Sequence, residues 1–164
     1  MNEPSSLIDA FVRGRERLLR VAGEVPAHLR TTPFVGQWNL MDVLAHLAGW
    51  DYTNLSAIEE VKAGTTPAFY REYDPGWATY NQQLIDRFGA EDWTALRETL
   101  RQSQEAVVSM LRLLTDEELT RELTERARRH PITIATILRA AIKDEREHLQ
   151  QIRTLLEASD KSSK

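Results

Sequence analysis

An all-α four-helix bundle with one or two extra short helices is the fold this sequence predicts. Apolar residues recur at helical spacing in four long runs, 7–22, 40–61, 93–114 and 132–157. Breakers punctuate the chain between them, at Gly23, Pro26, Gly64, Pro67, Pro75 and Gly89. No stretch reads as a strand of any length, and no internal repeat is present. A chain of 164 residues suits one domain with a core large enough to need no staples.

The elements follow in order. The first helix starts after Pro4 with Ser5 or Ser6 as cap, and Leu7, Ile8, Phe11, Leu18, Val21 and Ala22 form its inner face. Arg13, Arg15, Arg17 and Arg20 are expected on its solvated sides. A connection over 27–38 leads to Asn39, a good N-cap with Asp42 three residues on. The second helix continues to about Lys62. The loop 63–75 carries Phe69, Tyr70 and Tyr73, as the wall of a pocket or as a plug at the bundle's end. A shorter helix to Phe88 points Trp77, Tyr80, Leu84 and Ile85 inward. The next runs from about Glu91 to Leu114, with Gln104 near its stripe and able to reach a polar core group. Thr115 caps a single turn, and 120–131 reads as an irregular, solvated loop with Arg126, Arg128, Arg129 and His130. Thr133 is a candidate cap for the last helix. Residues 1–157 form the domain and 158–164 a disordered tail.

Composition excludes several chemistries. The absence of cysteine removes disulfides, thiolate zinc sites, iron–sulfur clusters and a cysteine nucleophile. Any metal must be held by His, Asp, Glu and water. The formal net charge of −4 argues against nucleic acid as a partner. No run reaches a membrane span, and the acidic start lacks a signal pattern, so no membrane partner and a cytoplasmic location are expected. P-loop, dinucleotide and serine-nucleophile motifs are absent.

The last helix holds the residues that need explaining. Asp144-Glu145-Arg146-Glu147-His148 interrupts its apolar stripe. Glu145 falls near the centre of that face, His148 one turn on, and Asp144 toward the edge. Burying a lone carboxylate or imidazole costs several kcal/mol. Asp144 and His148 are spaced i, i+4, and Glu145 and His148 i, i+3, the spacing of carboxylate metal sites in bundles. In the second helix His46 lies beside Trp50 at the edge of the apolar face, and Asp51 near its centre. Two readings stand open. His46, Asp144 or Glu145, and His148 hold a zinc, nickel, iron(II) or manganese ion with a free coordination position; or the histidines are hydrogen-bonded at the core edge, with the carboxylates paired to arginines.

The run Trp38-Asn39-Leu40-Met41-Asp42-Val43-Leu44-Ala45-His46-Leu47-Ala48-Gly49-Trp50-Asp51 resembles the second-helix signature of the DinB/YfiT-like superfamily. The run Asp144 to Ile152 resembles its last-helix signature, usually His-x-x-x-His followed by Gln-Ile or Gln-Leu. The form is most similar to the ClbS/DfsB-like branch. The resemblance implies a four-helix bundle with a metal held by three histidines. His46 matches the first and His148 the third, while the second falls on Asp144, a departure that either keeps an oxygen ligand or weakens the site. It further implies a divalent-metal-dependent small-molecule enzyme, transferring a low-molecular-weight thiol or hydrolysing an electrophile for detoxification. Glu145 or Asp51 would be the base, and Trp50, Tyr70, Tyr73 and Trp77 the substrate pocket. Two rival readings remain: a non-catalytic protein that binds or sequesters a small-molecule ligand, and a stress-response homo-oligomer with a degenerate site. The surface permits a homodimer.

Overall fold

The computed structural model describes residues 3–72, 76–90, 92–127 and 130–162. Four long helices build the bundle: α1 (Glu3–Glu24), α2 (Leu40–Lys62), α5 (Trp93–Leu111) and α7 (Ile134–Ser162). Around the bundle α7 packs on α1 and α2, and α5 packs on α2 and α1. The shorter α4 (Trp77–Phe88) lies against α2 from outside. Two short helices, α3 (Phe69–Glu72) and α6 (Asp116–Thr120), and a 3₁₀ turn at Ala27–Leu29 complete the helical content.

Local chemistry places the helix ends. At α2 the Met41 and Asp42 amides donate to Asn39 Oδ1 at 2.8 and 3.2 Å. The Asn39 amide returns a hydrogen bond to Asp42 Oδ2 at 2.9 Å, which closes a capping box. Gly64, at φ +80°, takes the left-handed conformation just past the helix end. Thr115 and Glu118 form a second capping box at α6. The Thr136 amide donates to Thr133 Oγ1 at 2.9 Å, so Thr133 stands just ahead of α7 as expected.

Several expectations change. The fifth helix is shorter than 91–114, because Asp92 accepts from the Ala95 amide at 2.6 Å and starts it at Trp93. At its other end Leu113 and Leu114 bond back three residues, a turn rather than α-helix. The loop 120–131 is not wholly irregular. A two-residue antiparallel hairpin pairs β1 (Arg126–Ala127) with β2 (His130–Pro131). Arg128, Arg129 and Tyr73 lie outside the described residues. The last helix does not end at Glu157. It runs on to Ser162, since neither glycine nor proline interrupts Ala158 to Ser162. Trp77, expected inward, is 49% exposed.

The core is divided. One apolar cluster gathers Leu18, Leu40, Leu44, Leu100, Leu149 and Ile152. A second gathers Phe11, Ile58, Val107, Leu111, Ile134 and Ile137. Between them each of the four long helices contributes a buried residue to one hydrogen-bonded layer: Arg15, Asp51, Ser103 and Glu145. The position of Arg15 corrects its assignment to a solvated face, for it is 2% exposed. Its spacing from Phe11, four residues, and from Leu18, three, shows why.

Candidate metal centre

The second and last long helices bring His46, Asp144 and His148 together. Each offers a ligand atom, and these atoms all lie within 4.8 Å of one another. His46 Nε2 lies 3.1 Å from Asp144 Oδ2, and His148 Nε2 lies 3.7 Å from Asp144 Oδ1. Both imidazoles are buried, whereas the Asp144 side chain is 41% exposed. The candidate oxygen ligand thus meets solvent while the two candidate nitrogens are sheltered. Trp38 supplies part of the shelter, with its ring 4.9 Å from His46 and 6.4 Å from His148.

The set fits a divalent ion chemically. His148 Nδ1 is 2.8 Å from Gln151 Oε1, so an Nδ1–H donor there leaves Nε2 as a lone pair facing Asp144. Burial pushes the His148 pKa down, as do charges on His46, against the opposing pull of Asp144. Burial raises the Asp144 carboxyl, but its hydrogen bond from His46 and the charges of His148, His46 and Lys143 outweigh that and hold it low. A neutral imidazole and an ionised carboxylate are the forms that ligate. His46 Nδ1 is buried with no hydrogen-bond partner, so the pairing with Asp144 does not by itself satisfy that ring.

Glu145 and Asp51, expected as bases, belong to a different arrangement. Arg15 Nε donates to Glu145 Oε1. Arg15 Nη1 donates to Asp51 Oδ2 at 2.9 Å and to the Leu100 carbonyl at 3.1 Å. Arg15 Nη2 donates to Asp51 Oδ1 at 3.2 Å, and Ser103 Oγ to Asp51 Oδ2 at 2.6 Å. Both Asp51 oxygens are therefore occupied. Burial raises the Glu145 carboxyl above its ordinary range, with Arg15 pulling it back. Burial opposes the charge of Arg15, but Asp51 and Glu145 hold its pKa above the ordinary value. Glu145, the fallback ligand, is not among the three residues whose ligand atoms come together, and it turns to Arg15 instead. A buried arginine pairs with both carboxylates, and Glu145 Oε2 is left buried without a hydrogen-bond partner.

A cleft of about 370 Å³ opens beside the centre, bounded by α1, α2, α3, α4 and α7. His46 and Asp144 face it, as do the expected pocket residues Trp50, Tyr70 and Trp77. Phe69 joins them, its ring 5.6 Å from Trp50 and perpendicular to it. Trp50 is held by donating Nε1–H to Asn81 Oδ1 at 3.0 Å. Sequence reasoning missed Arg15, Trp38, Ser103 and Asn81. For Arg15 the signal was its register with Phe11 and Leu18, and for Trp38 its place at the head of the second-helix signature; for Ser103 and Asn81 no local pattern distinguishes them. Gln104, expected near a polar core group, donates to the Phe11 carbonyl at 3.1 Å instead.

A four-helix bundle carrying a histidine–carboxylate group between its second and last long helices defines a class of protein. The chain belongs to the DinB superfamily, whose family model matches residues 10–152. Among solved structures it is similar to the colibactin self-resistance protein ClbS in complex with a double-stranded DNA. The two share 15% identity over 93% of this chain and 94% of that one, with a TM-score of 0.78. It is similar to an uncharacterised protein from Escherichia coli UTI89, at 13% identity over 96% and 94% and a TM-score of 0.80. A protein from Streptococcus pneumoniae matches at 15% identity over 96% and 92%, with a TM-score of 0.76. No curated protein matches the sequence. ClbS among these neighbours accords with the branch suggested by the sequence signatures. It also overturns the expectation of no nucleic-acid partner. A protein of this fold has been crystallised with a double-stranded DNA, so net charge alone is no ground for excluding one. Among the described residues no helix is long and apolar enough to cross a membrane.

Proposed function

We propose that this chain is a divalent-metal-dependent small-molecule enzyme, acting in thiol S-transfer or in hydrolysis of an electrophile. One observation carries the reading: the His46–Asp144–His148 group borders an aromatic cleft large enough for a drug-sized molecule. His46, Asp144 and His148 would hold the ion. When bound, the ion supplies Lewis acidity that makes a thiol or water nucleophilic near neutral pH. His148 is oriented by Gln151, and Trp38 keeps water off both imidazoles. Trp50, Phe69 and Tyr70 provide an apolar bed beside the reacting end.

Elemental analysis of protein purified without an affinity tag tests the reading. The expected result is about one equivalent of zinc, nickel, iron or manganese, lost in His148→Ala. No uptake of any of these ions by the wild type, even after incubation, would remove the metalloenzyme reading. The ClbS complex favours a second reading, binding of double-stranded DNA. Its signature would be a mobility shift that weakens steeply with salt; no shift at low ionic strength would eliminate it.

A further inference from the structure

We infer that Asn54 is a ligand-recognition residue at the far end of the cleft, selecting a long, flat, uncharged molecule with an amide or similar hydrogen-bonding group. The inference rests on the cleft assigned above to the substrate. His46, Trp50 and Asn54 are spaced i, i+4, i+8, so they occupy successive turns of one face of α2. The span from His46 to Asn54 is about 12 Å along the helix. Opposite them, Asp144, Ala141, Ala140 and Ile137 line the cleft from α7. The small alanines leave width beside the Trp50 indole, which suits a flat apolar body.

Asn54 is 7% exposed and faces the cleft. Its side-chain amide has no hydrogen-bond partner among the described residues. A buried amide carries donors and an acceptor that water or a ligand must satisfy. The charged groups lining the cleft are already paired. Arg15 is bound to Asp51 and Glu145, Asp144 to His46, and Lys143 lies 3.6 Å from Glu147. Any ion would sit at the His46 end, about 12 Å along the helix from Asn54, and the lining side chains are themselves paired, so a neutral polar group is the match for Asn54.

Two probes of equal length separate the alternatives: biphenyl-4-carboxamide and biphenyl-4-carboxylate, titrated against intrinsic tryptophan fluorescence. Excess chelator keeps the measurement independent of any ion, so a failed metal analysis and a failed Asn54 assignment remain distinct outcomes. The amide is expected to bind the wild type saturably and more tightly than the carboxylate. Asn54→Ala should weaken the amide by about fivefold, the worth of one neutral hydrogen bond of about 1 kcal/mol. Asn54→Leu, which keeps the side chain's bulk and favours helix, should do the same. An amide affinity within about twofold of wild type in the folded variant, a carboxylate that binds more tightly than the amide, or no saturable amide binding would each overturn the assignment.

Discussion

Arg15 is the residue on which the interior depends most. It balances two carboxylates from helices 36 and 130 residues away in the chain, and all three groups are buried. Removing it leaves those carboxylates without their cation, the situation in which a buried ion pair is most costly to break. Arg15→Met is therefore expected to lower unfolding free energy by about 3–5 kcal/mol in urea denaturation. Replacing the whole set, Arg15→Met with Asp51→Leu and Glu145→Leu, should recover most of that loss, because no charge is then stranded. A triple variant less stable than Arg15→Met would show that the network contributes more than its desolvation costs. At the surface, Glu98 shows the contrasting case. Hydrogen bonds from Arg101 and Gln102 lower its carboxyl to about 2, yet the group is fully exposed.

At the scale of the element, α2 carries the greatest number of constraints. Its start is fixed by the Asn39–Asp42 capping box, and Asn39→Ala should cost about 1 kcal/mol. Thermal unfolding would check this, and an unchanged midpoint would mean that water replaces the cap. Midway along it, Gly49 lets α4 approach closely. A Cβ there would come within 2.7 Å of Leu84 Cβ and 3.1 Å of the Phe88 ring. Gly49→Ala is expected to push α4 away at a cost of about 1–3 kcal/mol, despite alanine's better helix propensity. Because Asn81 on α4 holds Trp50, the same change should loosen the cleft wall. A shift in tryptophan emission would report it.

For the whole molecule, the bundle and the candidate centre should be thermodynamically linked. His46 comes from α2, and Asp144 and His148 from α7, so an ion held there ties two helices that the unfolded chain leaves apart. At an ion concentration about 100-fold above Kd, stability should rise by about 2.7 kcal/mol. The unfolding midpoint should climb with added metal in the wild type and stay fixed in His46→Ala. Equal stabilisation of both proteins would place the ion elsewhere. The two apolar clusters on either side of the Arg15 layer should still unfold together, since each of the four long helices passes through both.

By itself the sequence determined the four long helices and some of their ends, those of α2 above all. The periodic apolar runs, the boxes at Asn39 and Thr115 and the glycine past α2 act within a few residues of each other, so their consequences are readable locally. It also determined that His46, Asp144 and His148 could share one place, because the i, i+4 spacing and the family signature fix the helix faces. Only the tertiary structure decided which carboxylate turns toward the histidines. Glu145, at the centre of the α7 stripe, was claimed by Arg15, and Asp144, at its edge, reached His46. A buried charge goes to the partner that best offsets its desolvation, and here that partner lay on another helix, far away in the chain.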